Sequence, residues 1–376
     1  MVLATSSKVL INGKVKSVPR DALHQTFSCN PRLVLDLLTN CPQYEPTPIY
    51  DCPNLSSNNS LHQIWVKDET NRMGLGSFKA MGGIYAVIQI LQNKIASKLD
   101  RRIFPDELFL PEIQNIASKF RFTTASAGNH GISVATGAKL FGAEATIVLS
   151  HIVPREFEER LKQIPCSVIW HGENYEQSVE HAIEIAKEPG NILLADSSWE
   201  GYTNLPSLVM EGYSVIPEEC MNYFLDLDIW PTHIFLQAGV GGFAASFATH
   251  VRTYWPHQPT LVIVEPEFAP CLIESIRQRK LTTVEGPISA MGRLDCKRAS
   301  LIAFNTLMEI ADVFLVISDN EARFGKQSLD KSKIETTESG AAGVAGLLSA
   351  LDYPEIASSI GLDSNSRCLT VITEQK

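Results

Sequence analysis

The sequence predicts an α/β fold made of two open, mostly parallel sheets flanked by helices. Apolar, β-branched runs recur along its 376 residues, at IWVK, ATIVLS, CSVIW, NILLAD, HIFLQAG, TLVIVEP, VFLVIS and CLTVIT. Helix-like stretches such as FKAMGGIYAVIQILQNKIASKL and NYEQSVEHAIEIAKE lie among them. Runs of that length, without polar alternation, suit strands covered on both faces, and the intervening helices supply the cover. A chain this long exceeds the size at which one core stops growing, so two domains are expected. No linker separates them, and a middle domain inserted in a larger one accounts for that: residues 1–85 and 230–376 form the large domain, 86–229 the small one.

In chain order, the first twenty residues lack the unbroken apolar core of a signal peptide, and no uncharged run has membrane-spanning length. The polar stretch 54–60 and the charged stretch 100–112 read as surface connections. After the strand IWVK comes GLGSFKAMGG, residues 74–83, in which Lys79 sits among small residues with no carboxylate following for a helical turn. An ordinary loop-to-helix junction, capped by Ser77 with the lysine in solvent, would produce the same ten residues. Next is TTASAGNHG, residues 123–131, opening the helical pattern ISVATGAKLFG. Its small residues let a ligand approach the backbone, Ser126 and Asn129 can hydrogen-bond it, and the helix N-terminus favours an anion. A plain capped helix start fits equally.

HIFL is followed by QAGVGG, in which Gly239, Val240, Gly241 and Gly242 can converge their N–H groups on a phosphate. It is neither a Walker loop nor a full dinucleotide fingerprint. The last junction, ESG at 338–340, precedes a helix of small residues.

Composition excludes several functions. Apolar residues at 44% and charged residues at 20% describe a globular protein. A net charge of −10 without a basic block disfavours nucleic acid and anionic membranes as partners. The eight cysteines show no metal-ligand spacing and read as free thiols, with the cytoplasm as the default location.

Taken together, the junctions suggest one ligand, an aldehyde held by a lysine imine and by a phosphate cup. Pyridoxal 5'-phosphate has both groups and stabilises the carbanions of amino-acid chemistry. Lys79 would then lack a carboxylate partner because it is desolvated and partly deprotonated, ready to form the imine.

SFKAMGG, SAGNHG and QAGVGG, in this order, resemble the fold-type II pyridoxal-phosphate enzymes, whose fold is that of the tryptophan synthase β chain. Longer pieces resemble the diaminopropionate ammonia-lyases within that family: YEPTPI, VKDETNRMGLGSFKAMGGIYAV, DSSWEGYTNLPSLVMEGY, and PTHIFLQAGVGG with VIVEPEFAPCLIES. The resemblance implies that Lys79 is the Schiff-base lysine, Asn129 the ring-hydroxyl partner and residues 239–242 the phosphate loop. It also implies that Thr373 lies near the pyridine nitrogen and that Asp196 belongs to the active site. The expected reaction is α,β-elimination of L-2,3-diaminopropionate, or a similar β-substituted amino acid, to pyruvate and ammonia by a homodimer. A serine/threonine dehydratase-like lyase, a β-replacement synthase and a non-catalytic cofactor-binding regulator are the alternatives. Two segments depart from the lyase pattern. Ala127 stands where the lyases carry an aspartate that looks like the base for the D-enantiomer, which implies L-specificity. AMGRLDCKRAS, 290–300, replaces a glycine-containing segment.

Overall fold

A computed structural model describes residues 2–5, 8–13, 27, 29–126, 128–151, 153 and 155–376. Twelve strands are present among them: β1 (Val2–Thr5), β2 (Val9–Asn12), β3 (Ile49–Asp51), β4 (Gln63–Asp68), β5 (Arg121–Ala125), β6 (Glu144–Leu149), β7 (Ser167–Trp170), β8 (Asn191–Leu193), β9 (His233–Gln237), β10 (Thr260–Pro266), β11 (Val313–Ile317) and β12 (Arg367–Ile372). The eight expected strands appear as β4 and β6 to β12.

The larger sheet runs β1-β2-β11-β10-β9-β12-β4-β3. Its five inner strands, β11 to β4, are parallel, with Leu369 of β12 opposite Trp65 of β4 on one side and Ile234 of β9 on the other. The outer strands β1, β2 and β3 pair antiparallel and make the sheet mixed. These three short outer strands, of which β1 and β3 are the edges, carry no long apolar run and gave no signal in the sequence. The smaller sheet, β7-β6-β5-β8, is wholly parallel.

Parallel order brings the chemistry-bearing junctions together. The strands β9, β12 and β4 are neighbours, so the segments leaving their carboxyl ends, residues 238–242, 373–375 and 69–79, lie side by side. In the smaller sheet β5 and β8 are neighbours, and their carboxyl ends deliver residues 126–131 and 194–196. Ligands of open α/β sheets bind at such ends.

The helix Lys79–Leu99 packs on the helices Asn129–Leu140 and Asn204–Gly212. Gly82 and Gly83 allow the approach. A Cβ at Gly82 would collide with the Tyr213 ring and the Val209 carbonyl, and one at Gly83 with the Ser133 hydroxyl. Both glycines of SFKAMGG therefore serve helix contact. Residues 54–60, expected to be a connection, lie largely in the helix Pro53–Asn58. Proline at the first helical position starts this helix and Leu55 buries its inner face.

Under the segment between β4 and Lys79 lies a buried ionic cluster. The Arg72 guanidinium donates to Glu69 and Glu219, while the Lys67 ammonium reaches Glu219 and the Thr47 carbonyl. Lys67, Glu69 and Arg72 have no exposed surface, so each charge depends on its partners.

Candidate active site

Lys79 is the first residue of its helix, and the segment before it is fixed from several sides. The tail Thr373 to Gln375 pairs with it: Phe78 N–H donates to the Thr373 carbonyl (3.0 Å) and Gln375 N–H to the Gly76 carbonyl (2.9 Å). The Phe78 ring packs against Tyr213 and Phe243, with centroids 4.9 and 4.7 Å away. Ser77, expected as a cap, accepts from Lys79 N–H at 3.1 Å.

The expectation that Lys79 lacks a carboxylate partner is overturned. Its ammonium donates to Asp196 Oδ2 at 2.6 Å, with the two side chains 26% and 13% exposed. Burial pushes the lysine pKa down, but Asp196 beside it prevails and holds it above its ordinary value. Burial pushes Asp196 up, and Lys79 brings it well below the ordinary carboxylate range. The partner comes from 117 residues away, so local sequence around Lys79 could not reveal it. A helix N-terminus disfavours a cation, and Asp196 offsets that.

The piece DSSWEGYT explains how Asp196 is held. Trp199 and Tyr202 exchange backbone hydrogen bonds in a tight hairpin, their rings stacked with centroids 4.4 Å apart. The Tyr202 hydroxyl donates to the Leu193 carbonyl and accepts from Ala195 N–H, clamping the strand just before Asp196. Ser198 Oγ lies 2.7 Å from Ser300 Oγ, and Ser300 N–H donates to the Val240 carbonyl, tying this loop to the glycine loop. His130 Nε2 is 2.9 Å from the Leu194 carbonyl. Since a carbonyl only accepts, Nε2 carries the hydrogen, and burial keeps the ring neutral by lowering its pKa.

The glycine loop needs its glycines. Gly241 has φ +93°, and a Cβ there would stand 3.0 Å from both Ala303 and Leu272. At Gly239 a Cβ would meet Cys296 Sγ at 3.0 Å. Gly242 begins the helix Gly242–Tyr254 beside the Asp196 carbonyl, so its N-terminus opens toward the lysine pair.

Ser126 Oγ accepts from Gly128 and Gly131 N–H groups, at 3.2 and 3.0 Å, and is thus engaged in its own turn. Asn129 Nδ2 donates to Glu374 Oε2 at 2.7 Å, while its Oδ1 is buried without a protein partner. Thr373 Oγ1 accepts from Gln237 Nε2 at 3.2 Å. Ser339 of ESG accepts from Arg293 N–H, and the Gly340 carbonyl accepts from Gln237 Nε2, which brings that junction to the same site. Ala127 lies outside the described residues.

Sequence reading missed Glu374 and Cys296. Glu374 follows a predicted site residue directly, which the sequence shows, and its side chain is buried, which only the structure does. Cys296 lies in the departing segment 290–300. It faces Gly239, and burial pushes its thiol up to about 12.

An amine paired to a carboxylate, a helix-capping glycine loop and a buried, unsatisfied amide oxygen fit a ligand with an aldehyde, a phosphate and a hydrogen-bonding ring. Among the described residues no cluster of His, Cys, Asp and Glu could hold a metal, and no helix is long and apolar enough to cross a membrane. All eight cysteines are free.

Comparisons with known proteins agree with this chemistry. A family model described as pyridoxal-phosphate dependent enzyme matches residues 41–374. Diaminopropionate ammonia-lyase of Escherichia coli (strain K12) is 30% identical over 343 residues, covering 88% of this chain and 84% of the relative. The Salmonella typhimurium ammonia-lyase is 30% identical over 91% of this chain and 88% of its own. A crystal structure of the Escherichia coli lyase, in complex with an aminoacrylate-PLP azomethine reaction intermediate, superposes with a TM-score of 0.86 at 26% identity, covering 100% of this chain and 95% of that one. The match of a family model to nearly the whole chain, through the lysine, the amide and the glycine loop alike, makes this protein a member of the pyridoxal-phosphate-dependent enzymes.

Proposed function

We propose that the enzyme eliminates ammonia from L-2,3-diaminopropionate, or from a similar β-substituted L-amino acid, and that the product goes on to pyruvate and a second ammonia. The observation that carries this reading is the Lys79–Asp196 pair, an amine and a carboxylate 2.6 Å apart in one site.

When bound, pyridoxal phosphate supplies an aldehyde for the amine and a ring that spreads the electron pair left on Cα. Residues 239–242 would hold its phosphate, Asn129 its ring hydroxyl, and Thr373 would face its ring nitrogen. Ser126 would support the loop that carries Asn129. Lys79, once its amine is free, takes the Cα proton. Asp196 keeps the β-ammonium charged, so that the Cβ–N bond breaks with ammonia as the leaving group. Water then replaces the remaining nitrogen of 2-aminoacrylate, giving pyruvate and ammonia.

Asp196, held ionised by Lys79, suits a cationic leaving group. Amine is a poor leaving group unless it carries a proton, whereas serine and threonine present a hydroxyl. We read residues 86–229 as the smaller domain, in keeping with their separate sheet, and expect a cytoplasmic homodimer.

A screen of L- and D-diaminopropionate, serine, threonine and other β-substituted alanines for pyruvate and ammonia release tests this reading. Turnover of L-diaminopropionate above the hydroxy amino acids supports it. Turnover of serine or threonine alone would assign the chain to dehydratase chemistry, and formation of a new amino acid on adding nucleophiles would assign it to β-replacement.

A further inference from the structure

The tail that backs Lys79 contributes a charged side chain as well as backbone. Glu374 is 5% exposed. Its Oε1 accepts from Thr337 Oγ1 at 2.6 Å and its Oε2 from Asn129 Nδ2 at 2.7 Å, with Arg293 Nε 3.7 Å from Oε2. Backbone fixes the residue too. Its carbonyl accepts from Thr336 Oγ1, and it pairs antiparallel with Ser77, two residues before Lys79.

A carboxylate receiving hydrogen bonds at both oxygens can only accept, so Asn129 must turn its NH2 group toward it. The two ends of an amide are otherwise nearly equivalent in shape, and a neighbour of this kind decides between them. Oδ1 is thereby directed elsewhere, and it is the end that has no protein partner. Glu374 thus joins the N-terminus of one helix of the smaller-sheet unit to the strand-end segment of the larger sheet.

We infer that Glu374 is a positioning residue of the cofactor site, fixing the Asn129 amide in one orientation so that Oδ1 and one N–H are presented to the bound ring. This inference rests on the pyridoxal-phosphate reading of the site. Glu374 also adds to the negative charge that keeps Lys79 protonated.

The test titrates cofactor-free protein with pyridoxal phosphate and follows absorbance for wild type, Glu374→Gln, Asn129→Ala and the double variant. Glutamine keeps the size but can donate or accept, which releases the amide to turn. Glu374→Gln should weaken cofactor binding about 10–100-fold, the range for a hydrogen bond to a charged group. The double variant should be no more than about threefold weaker than Asn129→Ala alone, because the two residues act as one unit. The pH midpoint of the bound-cofactor absorbance should move down in Glu374→Gln, where an anion near the amine has gone. Losses that multiply, or a Glu374→Gln protein with wild-type affinity and midpoint, would overturn the inference. If Glu374→Gln does not fold, as judged by thermal unfolding, Thr337→Val decides. It frees Oε1 without removing charge, so a smaller loss of affinity supports the inference and wild-type affinity overturns it. Absence of cofactor binding by the wild-type protein would instead overturn the reading on which it rests.

Discussion

Replacing Asp196 by Asn keeps the side-chain size and removes the charge facing Lys79 Nζ at 2.6 Å. At that separation, with an effective permittivity of about 20, the lost attraction is about 6 kcal/mol. Much of it is offset by the desolvation of the two charges. Solvent reaches both side chains, at 26% and 13% exposure, and screens part of the rest. A net change of about 1–3 kcal/mol in the protonation of Lys79 remains, between the values for exposed and for buried pairs. At 1.36 kcal/mol for each factor of ten, the neutral fraction of Lys79 at neutral pH should rise about 10–100-fold. The assay is acylation of cofactor-free protein, quantified by peptide mass spectrometry, with the exposed Lys162 as internal reference. Lys79 labelling should accelerate by that factor relative to Lys162. Turnover should move the opposite way, falling by about two to four powers of ten, because the departing ammonium loses its partner. Unchanged labelling would refute Asp196's control of the lysine. Faster labelling with full turnover would refute its part in ammonia departure.

The same pair sets a pH window for the cofactor-free protein. Asp196 is held below its ordinary 3.8, so its contribution is complete above that pH and lost as pH falls further. Lys79 is held above its ordinary 10.5, so its contribution is complete below that pH and lost as pH rises beyond it. Urea unfolding should therefore separate wild type from Asp196→Asn most widely near neutrality. Gly241→Leu should lose most of its cofactor affinity by titration, since φ +93° and neighbours 3.0 Å from a Cβ forbid the side chain; wild-type affinity would make the loop a mere turn. Glu219→Ala leaves Arg72 and Lys67, neither with surface exposure, to share the single carboxylate of Glu69 and should cost about 3–5 kcal/mol in chemical denaturation. Finally, turnover should favour L- over D-diaminopropionate by about two to four powers of ten, and Ala127→Asp should gain D-activity. Equal turnover of the enantiomers by the natural protein would end that argument.

What the sequence revealed was local. Each of the five inner parallel strands of the larger sheet is a short apolar run, whereas β5 (RFTTA) inside the smaller sheet is marked only by the junction after it, and each junction announces itself by a change from strand to small residues to helix. Lys79, Asn129 and residues 239–242 all lie at such junctions. What stayed hidden depended on distant segments. The two glycines after Lys79 have no evident task in the sequence, and only the crossing of Tyr213 and Ser133 over them shows that they serve packing. Asp196 was singled out through its family-like surroundings, but its pairing with Lys79 was not, because nothing in either segment encodes the distance between them. Glu374 was passed over for Thr373, its neighbour, whose hydroxyl faces Gln237. The outer strands β2 and β3 escaped because runs of three or four residues are too short to show a period.

The strand-like pairing of Ser77 with Glu374 has a temporal consequence. A ribosome delivers the lysine early and its backing strand some three hundred residues later, so for most of synthesis the Lys79 segment has no partner. The smaller sheet, whose strands span only residues 121–193, can form meanwhile, but the backed Lys79 segment cannot. The backing of the Lys79 segment is thereby deferred until residues 373–375 have emerged.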